Sequence, residues 1–432
     1  MKYVAVIGGG YAGFAAAAEL AAAGVAVTLF EAAKVAGGRA RRVEIRGLAL
    51  DNGLHVLIGA YRETLRLIDL VSIPADPPGL RRVPLDLEVH PHFRLRTPRL
   101  PAPLHLVCAL ATARGLSLRQ RMQMISFMLA LRRQGFRLQS DMSVCELLQR
   151  HGQSEALCRY LWHPLCISAL NTLPRHASAQ VFINVLRDSL NGSRGDSDFL
   201  LPTLDFSSLF PERAARFISG KGGAVLLDRP VLTVRHEGAS FSVVTAQGTR
   251  TFSHVVLAVS PHRLHTVCAD LPQLADTLRC VEQFEYRPIY SVYLQYTAST
   301  CLPRPMLGLE GKITQWVFDR GQLIGQPGLL GAVISADGQH ERLSNDELAM
   351  QVHADLLDAI PTLPQPQWWQ VIAEKRATFA CNVGLQRPRI RTALPSLFLA
   401  GDYVDSAYPA TIEAAVRAGV ECARQVRSTF LR

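Results

Sequence analysis

The chain has 432 residues, 48% of them hydrophobic, which is enough to bury the cores of two domains or of one large domain with an insertion. Its longest apolar run, Leu104 to Ala113, is far shorter than the roughly 20 residues of a transmembrane helix, so no spanning helix is predicted. Its nine cysteines include no C-x-x-C pair, so neither a disulfide framework nor a metal site is predicted. The formal charge of +10 comes without any aromatic-interleaved basic motif, which argues against a nucleic-acid partner.

The first predicted elements form a unit that is typical of dinucleotide binding. They are a strand from Tyr3 to Ile7, the loop Gly8-Gly9-Gly10-Tyr11-Ala12-Gly13, an Ala-rich helix, and a strand from Val25 to Phe30 followed by Glu31. Gly8 permits the tight turn, Gly10 lets the backbone approach a pyrophosphate, and Gly13 lets the helix pack on the strand. The helix N-terminus at Tyr11 and Ala12 then faces the phosphates, and Glu31 is expected to accept hydrogen bonds from a ribose.

The same segment resembles a secretory signal only superficially. Three consecutive glycines would break the apolar helix of a signal peptide, and a strand resumes directly after the helix. We therefore expect the segment to be part of the fold and the protein to be cytoplasmic, with reduced thiols.

Two further motifs favour FAD over NAD. Gly37-Gly38-Arg39 allows a second close approach at Gly38, and Arg39 is suited to bind a pyrophosphate. Near the C-terminus, Gly401-Asp402 follows an apolar strand from Leu397 to Ala400, and Asp402 is suited to ribityl or phosphate-bound groups. A helix beginning near Ala410 and Thr411 would aim its amides at the pyrimidine edge of a flavin. No second G-x-G-x-x-G is present for a nicotinamide donor.

The middle of the chain divides the predicted cofactor-binding sheet into separate stretches. We predict an α/β fold, with a Rossmann-like FAD-binding domain of the amine-oxidase type from residues 1–75, 205–265 and 386–432. A second, mixed α+β substrate domain is expected from 76–204 and 266–385. Residues 80 to 200 are predicted to be mainly helical, and Ala224 to Val259 to contain four strands, the last of which returns to the parallel sheet.

The positive charge is concentrated between Arg81 and Arg137. Within this region a helix from Leu118 to Leu131 pairs arginines with large apolar residues. It is predicted either to lie in the interface of an anionic membrane or to pack on the core of its own domain. The membrane alternative would make the protein peripheral on the inner face of the cell membrane.

Long segments of the chain resemble the hydroxysqualene dehydroxylases, within the superfamily of flavin amine oxidases and phytoene desaturases. The resemblance lies in Asp51 to Tyr61, Trp162 to Thr172 and Ala177 to Leu190, together with the motifs at both ends of the chain. It implies FAD, a polyisoprenoid substrate, and reductive removal of an allylic hydroxyl that yields squalene for hopanoid synthesis. It also implies that the backbone of Val231 contacts adenine; the electron donor and the oligomeric state are not implied.

Candidate catalytic residues follow from the chemistry that the resemblance implies. His55 and Tyr408 are expected to border the flavin, and His55 to polarise the hydroxyl, with a structural histidine that is hydrogen-bonded to the backbone as the alternative. Trp162, His163 and Asn171 are candidates to line the substrate tunnel, with core packing or capping as the alternative.

Three other functions remain open on the sequence. A carotenoid desaturase or an amine oxidase would share the fold, although no aromatic partner for Tyr408 is evident. A non-enzymatic prenyl-lipid carrier, similar to the Rab GDP dissociation inhibitors, is disfavoured by Glu31, Arg39 and Asp402. An NAD-dependent enzyme is disfavoured by the single glycine-rich fingerprint.

Overall fold

The computed structural model of the protein describes residues 3–190 and 192–430. In chain order, its strands are β1 (Tyr3–Ile7), β2 (Ala26–Phe30), β3 (Arg42–Ile45), β4 (Leu48–Asp51), β5 (Leu57–Ile58), β6 (Leu80–Val83), β7 (Asp86–His90), β8 (Phe93–Arg96), β9 (Phe199–Pro202), β10 (Ala224–Leu226), β11 (Val231–Glu237), β12 (Ser240–Thr245), β13 (Gly248–Phe252), β14 (His254–Leu257), β15 (Tyr286–Gln295), β16 (Met306–Leu309), β17 (Trp316–Asp319), β18 (Leu329–Ser335), β19 (Trp368–Phe379) and β20 (Leu397–Leu399). Its helices are α1 (Tyr11–Ala22), α2 (Arg62–Val71), α3 (Leu104–Thr112), α4 (Leu118–Arg133), α5 (Val144–Arg150), α6 (Glu155–Leu157), α7 (His163–Leu170), α8 (Ala179–Leu190), α9 (Phe206–Leu209), α10 (Pro211–Gly220), α11 (Pro261–Val267), α12 (Ala275–Glu282), α13 (Arg320–Ile324), α14 (Asn345–Ala359) and α15 (Ile412–Thr429).

A parallel sheet of order β10-β2-β1-β14-β20 forms the centre of the cofactor-binding region. Helix α1 crosses from β1 to β2 and packs against α10 and α15. The alanines from Ala15 to Ala18 are fully buried, and their small side chains let α15 come close. A Cβ added to Gly419 of α15 would lie 2.3 Å from the Ala12 carbonyl oxygen, so this contact requires glycine. The sheet therefore holds the N- and C-terminal motifs side by side.

A seven-stranded mixed sheet of order β19-β15-β18-β17-β16-β7-β8 forms the second region. Its β15–β18 and β15–β19 pairs are antiparallel, and β16 pairs with β7 in parallel. Helix α14 packs against β15 and β19, and their shared core includes Val292, Leu348 and Val352. Smaller sheets of order β5-β9-β6 and β3-β4 adjoin the site described below.

The predicted α/β class, with a Rossmann-like parallel sheet and a mixed second region, is confirmed. The five strands of the parallel sheet come from residues 3–30, 224–257 and 397–399, within the three stretches predicted for the cofactor domain. The domain boundaries themselves stay a prediction.

The expectation that residues 80 to 200 are mainly helical is wrong at both ends of that range. Strands β6, β7 and β8 occupy much of 80–96, and β9 begins at Phe199. The hairpin of β7 and β8 is short, and its pairing with β16, more than 200 residues away, stabilises it as strand. Strand β13 was not predicted, because four of its five residues are exposed and it has no apolar periodicity.

Candidate functional site

The glycine loop after β1 has the geometry that its sequence predicts. Gly8 has φ of 113°, and its amide donates to the Phe30 carbonyl at 2.8 Å. A Cβ on Gly13 would lie 1.9 Å from the Gly8 carbonyl oxygen, so only glycine lets α1 begin this close to β1. A Cβ on Gly10 would meet only the Gly38 Cα, at 4.0 Å. The backbone of Gly10 is therefore open to close approach by a ligand, next to the second glycine loop.

The first residues of α1 present backbone rather than side chains to this space. The Tyr11 hydroxyl donates to the Phe206 carbonyl at 2.8 Å, and its ring packs against Phe210. The Ala12 side chain is buried. The N-cap residue Gly10 has no side chain to cap α1. The predicted roles of Tyr11 and Ala12 are therefore roles of the helix N-terminus, whose amides attract anions.

Glu31 lies against the same loop. Its carboxylate accepts hydrogen bonds from the amides of Gly9, at 2.5 Å, and Ala33, at 2.7 Å. The adjacent cavity, of about 240 Å³, lies at the carboxyl ends of β2 and β10 and is lined partly by Phe30, Leu226 and Thr245. Thr245 pairs with Val231 at the start of β11. Contacts of Glu31 with a ribose and of Val231 with adenine stay predictions, and this cavity is next to both residues.

The second glycine loop connects motifs that are far apart in the sequence. The Gly37 amide donates to the Gly9 carbonyl at 2.8 Å, and Gly38 has φ of 61°. One Arg39 nitrogen donates to Asp402 Oδ1 at 2.7 Å, and another donates to the Ala377 carbonyl at 2.7 Å. Arg39 and Asp402 are thus brought together across 363 positions. The predicted contact of Arg39 with pyrophosphate would add to this ion pair.

The C-terminal motif provides a capped helix end. Thr411 Oγ1 accepts a hydrogen bond from the Ala414 amide at 3.2 Å, which caps α15, and Ala410 precedes it. A Cβ on Gly401 would lie 2.3 Å from the Tyr403 ring, so that turn requires glycine. Glu413, 1% exposed, accepts from the Thr64 amide and hydroxyl at 3.0 and 2.7 Å. Glu413 therefore caps α2 from α15, a role that the sequence analysis missed.

His55 lies on the loop between β4 and β5, close to the Arg39 region. The Asn52 amide nitrogen Nδ2 donates to the Arg39 carbonyl at 3.3 Å, which joins this loop to the second glycine loop. Within residues 3–190 and 192–430, the buried Nε2 of His55 has no hydrogen-bond partner, and the ring contacts Phe206 edge-on at 5.2 Å. Burial, followed by the nearby Arg39 charge, lowers the pKa of His55 to about 4. The imidazole is therefore neutral at physiological pH.

A buried ion pair supports the apolar pocket beside His55. Arg320 Nη1 donates to Asp51 Oδ2 at 3.1 Å, with side-chain exposures of 4% and 3%. The other Asp51 oxygen accepts from the Phe206 amide at 2.9 Å. The pocket is lined by both ion-pair residues and His55, and its apolar wall includes Leu54, Phe206, Phe318 and Leu323. Arg320 was missed because it lies 269 positions from Asp51 and belongs to no recognisable motif.

Tyr408 is held by neighbours other than those of His55. Its hydroxyl donates to Asp188, which also accepts from Arg187 at 2.7 Å, and the Arg417 guanidinium lies 4.6 Å from the ring centroid. Burial, followed by the hydrogen bond to Asp188, raises the pKa of Tyr408 to about 12. Tyr408 therefore stays protonated, and a catalytic role for it stays a prediction.

The three candidate tunnel residues have packing contacts. Trp162 is 2% exposed, donates from Nε1 to Gln153 at 2.9 Å and packs edge-on against Phe127. Asn171 caps α7 with φ of 47° and donates to Thr378 Oγ1 at 2.9 Å, while its own oxygen accepts from the Ala336 amide. His163 is half-buried, and burial lowers its pKa. Tunnel lining by these residues stays a prediction, which the contacts of Trp162 and Asn171 do not support.

The comparisons with known proteins place this geometry in a family. Residues 11–427 match the family of flavin-containing amine oxidoreductases. The chain belongs to that family. It is therefore an FAD-dependent oxidoreductase. Gly10, the α1 N-terminus, Glu31 and the capped α15 stay the predicted FAD-binding groups.

The chain is also similar to two named relatives, and two solved structures share its fold. The chain is similar to the hydroxysqualene dehydroxylases of Rhodopseudomonas palustris (27% identity, covering 97% of this chain and 96% of that one) and Zymomonas mobilis (25% identity, 97% of each). Its fold is similar to an oxidoreductase from Methanosarcina mazei (TM-score 0.77, 14% identity, 98% of this chain and 100% of that one). It is also similar to cyclohexylamine oxidase from Brevibacterium oxydans (TM-score 0.64, 19% identity, 100% of each). Membership of this flavin family leaves the NAD-dependent alternative without support.

Proposed function

We propose that the chain reductively removes the allylic hydroxyl of hydroxysqualene to form squalene, as a step of hopanoid biosynthesis. The observation that carries the proposal is the set of three relatives named hydroxysqualene dehydroxylase, each 25–27% identical and matched over 97% of this chain. The cavity beside His55 has a volume of only about 10 Å³, so its agreement with this substrate class lies in the chemistry of its wall, which is mainly apolar with few polar groups.

The reaction breaks the allylic C–O bond and forms a C–H bond with a hydride, while the hydroxyl leaves as water after gaining a proton. Bound FAD, in its reduced form, supplies the hydride. The protein has to orient the alcohol, exclude bulk water and hydrogen-bond to the departing oxygen.

His55 is the residue that we assign to the departing oxygen. Its buried Nε2 makes no hydrogen bond within the described part of the chain, so a substrate hydroxyl would satisfy it. Because the pKa of His55 is lowered to about 4, the residue acts as a neutral hydrogen-bonding group and does not carry the proton as imidazolium. His55 thus positions the hydroxyl, and the proton comes from another donor.

The Asp51–Arg320 pair keeps this pocket in shape. Asp51 holds the Phe206 amide, and the Phe206 ring packs against His55. The apolar side chains of Leu54, Phe206 and Phe318 exclude water, which lets an allylic centre with developing positive charge form without capture by solvent.

The finer statements on partners and location are part of the same proposal. A polyisoprenoid alcohol has almost no aqueous concentration, so the enzyme gains by working peripherally on the inner face of an anionic membrane. Within the described residues, no helix combines the length and the apolar character needed to cross a bilayer.

The test is a reaction under anaerobic conditions. The holoenzyme is incubated with hydroxysqualene after chemical reduction of its flavin, and with phytoene or putrescine in its oxidised form, and products are identified by mass spectrometry. We expect squalene in an amount equal to the flavin that becomes oxidised. Absence of squalene would refute the proposal; desaturation of phytoene or oxidation of putrescine by the oxidised enzyme would assign the chain to another activity of its family, and inactivity with all three would favour a lipid carrier.

A further inference from the structure

Helices α3 and α4 expose large apolar side chains on one surface. We define the α3–α4 face as Leu104 and Val107 of α3 with Leu118, Met122 and Leu129 of α4. Their exposures run from 46% for Val107 to 73% for Leu118. Half of the exposed large apolar side chains of residues 3–190 and 192–430 lie between positions 100 and 129, and α3 and α4, which carry five of them, contact each other.

This surface is not the core-facing side of the helices. Helix α4 packs into the interior through Met124, Phe127 and Leu131, which are at most 1% exposed. Leu118, Met122 and Leu129 follow each other at helical spacing on the opposite side. An ordinary surface helix carries polar residues there, so the apolar outer side of α4 requires another explanation.

The charges around the α3–α4 face have one sign. Residues 89 to 140 contain nine arginines and no Asp or Glu. Six of these arginines are exposed and take part in no ion pair of the described residues: Arg99, Arg114, Arg119, Arg132, Arg133 and Arg137. Arg94 and Arg96, by contrast, lie beside Asp86 on the β7–β8 hairpin. Helix α4 and the segments that flank α3 and α4 thus carry cations that the fold does not neutralise.

We propose that the α3–α4 face docks on an anionic lipid bilayer. A bilayer accounts for both the exposed apolar side chains and the unpaired arginines. The apolar side chains enter the acyl region, and the arginines remain at the level of the headgroups. A second copy of the chain would bring the two sets of arginines together, which disfavours self-association through this face. An acidic protein would satisfy the arginines but gives no reason for five exposed apolar side chains.

A short series of contacts joins the face to the candidate site. His105 of α3 lies with Nε2 3.5 Å from Ser197 Oγ. The neighbouring carbonyls of Asp196 and Asp198 accept from the amides of Ala60 and Gly59, at 3.0 and 2.9 Å. Gly59 directly follows β5, which begins two residues after His55. A bilayer under α3 would therefore be linked through these contacts to the segment that carries His55, where the proposed function requires a hydrocarbon substrate to enter.

The test measures flotation of the FAD-loaded protein with empty vesicles, of phosphatidylcholine alone or mixed with phosphatidylglycerol. A charge variant carries Arg119→Glu, Arg132→Glu and Arg133→Glu, and an apolar variant carries Leu118→Ser, Met122→Ser and Leu129→Ser. The matched control reverses three exposed arginines elsewhere, Arg342→Glu, Arg389→Glu and Arg427→Glu. Arg121 is left unchanged because its guanidinium donates to the Ala111 carbonyl.

We expect the wild type and the control to float only with the anionic vesicles. The charge variant should bind them at least about a hundredfold more weakly, and the apolar variant about tenfold or more. FAD content and melting temperature should match the wild type in all three variants. Four results would each overturn the proposal. They are a wild type that does not float, a wild type that binds phosphatidylcholine alone equally well, unchanged binding of both face variants, and capture by an acidic protein without vesicle binding.

The vesicles contain no substrate, so the outcome does not depend on the proposed reaction. A second measurement compares turnover of hydroxysqualene dissolved in vesicles with turnover in detergent. Face variants should lose only the first. A wild type that floats but turns over substrate in neither medium would refute the proposed function and leave the docking surface in place.

Discussion

The buried pair of Asp51 and Arg320 offers a sharp test of how the pocket is held. In Arg320→Met the carboxylate of Asp51 stays buried, 3% exposed, without the cation 3.1 Å away. The variant also loses the bonds from Arg320 to the Ala49 carbonyl and to Gln326. Removing one partner of a buried ion pair costs about 3–5 kcal/mol, a large share of the roughly 5–15 kcal/mol that stabilises a typical fold.

The pH dependence of this loss has a definite sign. Burial holds the pKa of Asp51 above its usual range even beside Arg320, and loss of Arg320 raises it further. A carboxyl whose pKa is higher in the folded than in the unfolded state binds protons more tightly when folded. Stability relative to the wild type should therefore recover as the pH falls below neutral, because the neutral fraction of Asp51 then rises.

Urea unfolding, followed by tryptophan fluorescence and FAD release, measures both effects. The double variant Asp51→Asn/Arg320→Met removes the uncompensated charge while leaving an amide oxygen for the Phe206 amide, so it should be more stable than Arg320→Met alone at neutral pH. The reasoning would be refuted if Arg320→Met were within about 1 kcal/mol of the wild type at neutral pH, or if its deficit did not change with pH.

Further predictions concern the cofactor and His55. Glu31→Ala should weaken FAD binding by about 1.5–3 kcal/mol, because a charge-assisted ribose contact is lost, with Glu31→Gln in between; an unchanged Kd in a titration of apoprotein would remove Glu31 from the site. His55→Leu should lower turnover of hydroxysqualene roughly a hundredfold, with partial recovery in His55→Gln. Since the pKa of His55 is lowered to about 4, the wild-type rate should show no histidine step between about pH 6 and 8, and a step near pH 6.5 would contradict its neutral role. Acid precipitation should leave the yellow cofactor in the supernatant, because the flavin motifs contain no Cys or His other than His55 in a linkage position; colour in the pellet would show a covalent bond.

Local motifs were sufficient to predict the cofactor-binding half of the fold. The β1–α1–β2 unit depends on interactions over about 30 residues, and the contact of Gly13 with the Gly8 carbonyl is a steric demand that arises within that unit. The order of the remaining motifs then indicated FAD, which the family match confirms. Interactions between residues close in sequence, together with the order of the motifs, were therefore enough to predict the fold class and the cofactor.

Only the tertiary structure decided which distant residues meet. Arg39 pairs with Asp402, Asp51 with Arg320 and Glu413 with Thr64, across 269 to 363 positions, and no local pattern specifies such partners. The tertiary structure also decides which side of a helix faces the core. Helix α4 has apolar residues on two sides, so its sequence does not reveal which side packs inward. Packing against Trp162 and the neighbouring core buries Phe127 and leaves Leu118 and Met122 outside, because a side chain is buried only where the rest of the chain supplies a complementary surface.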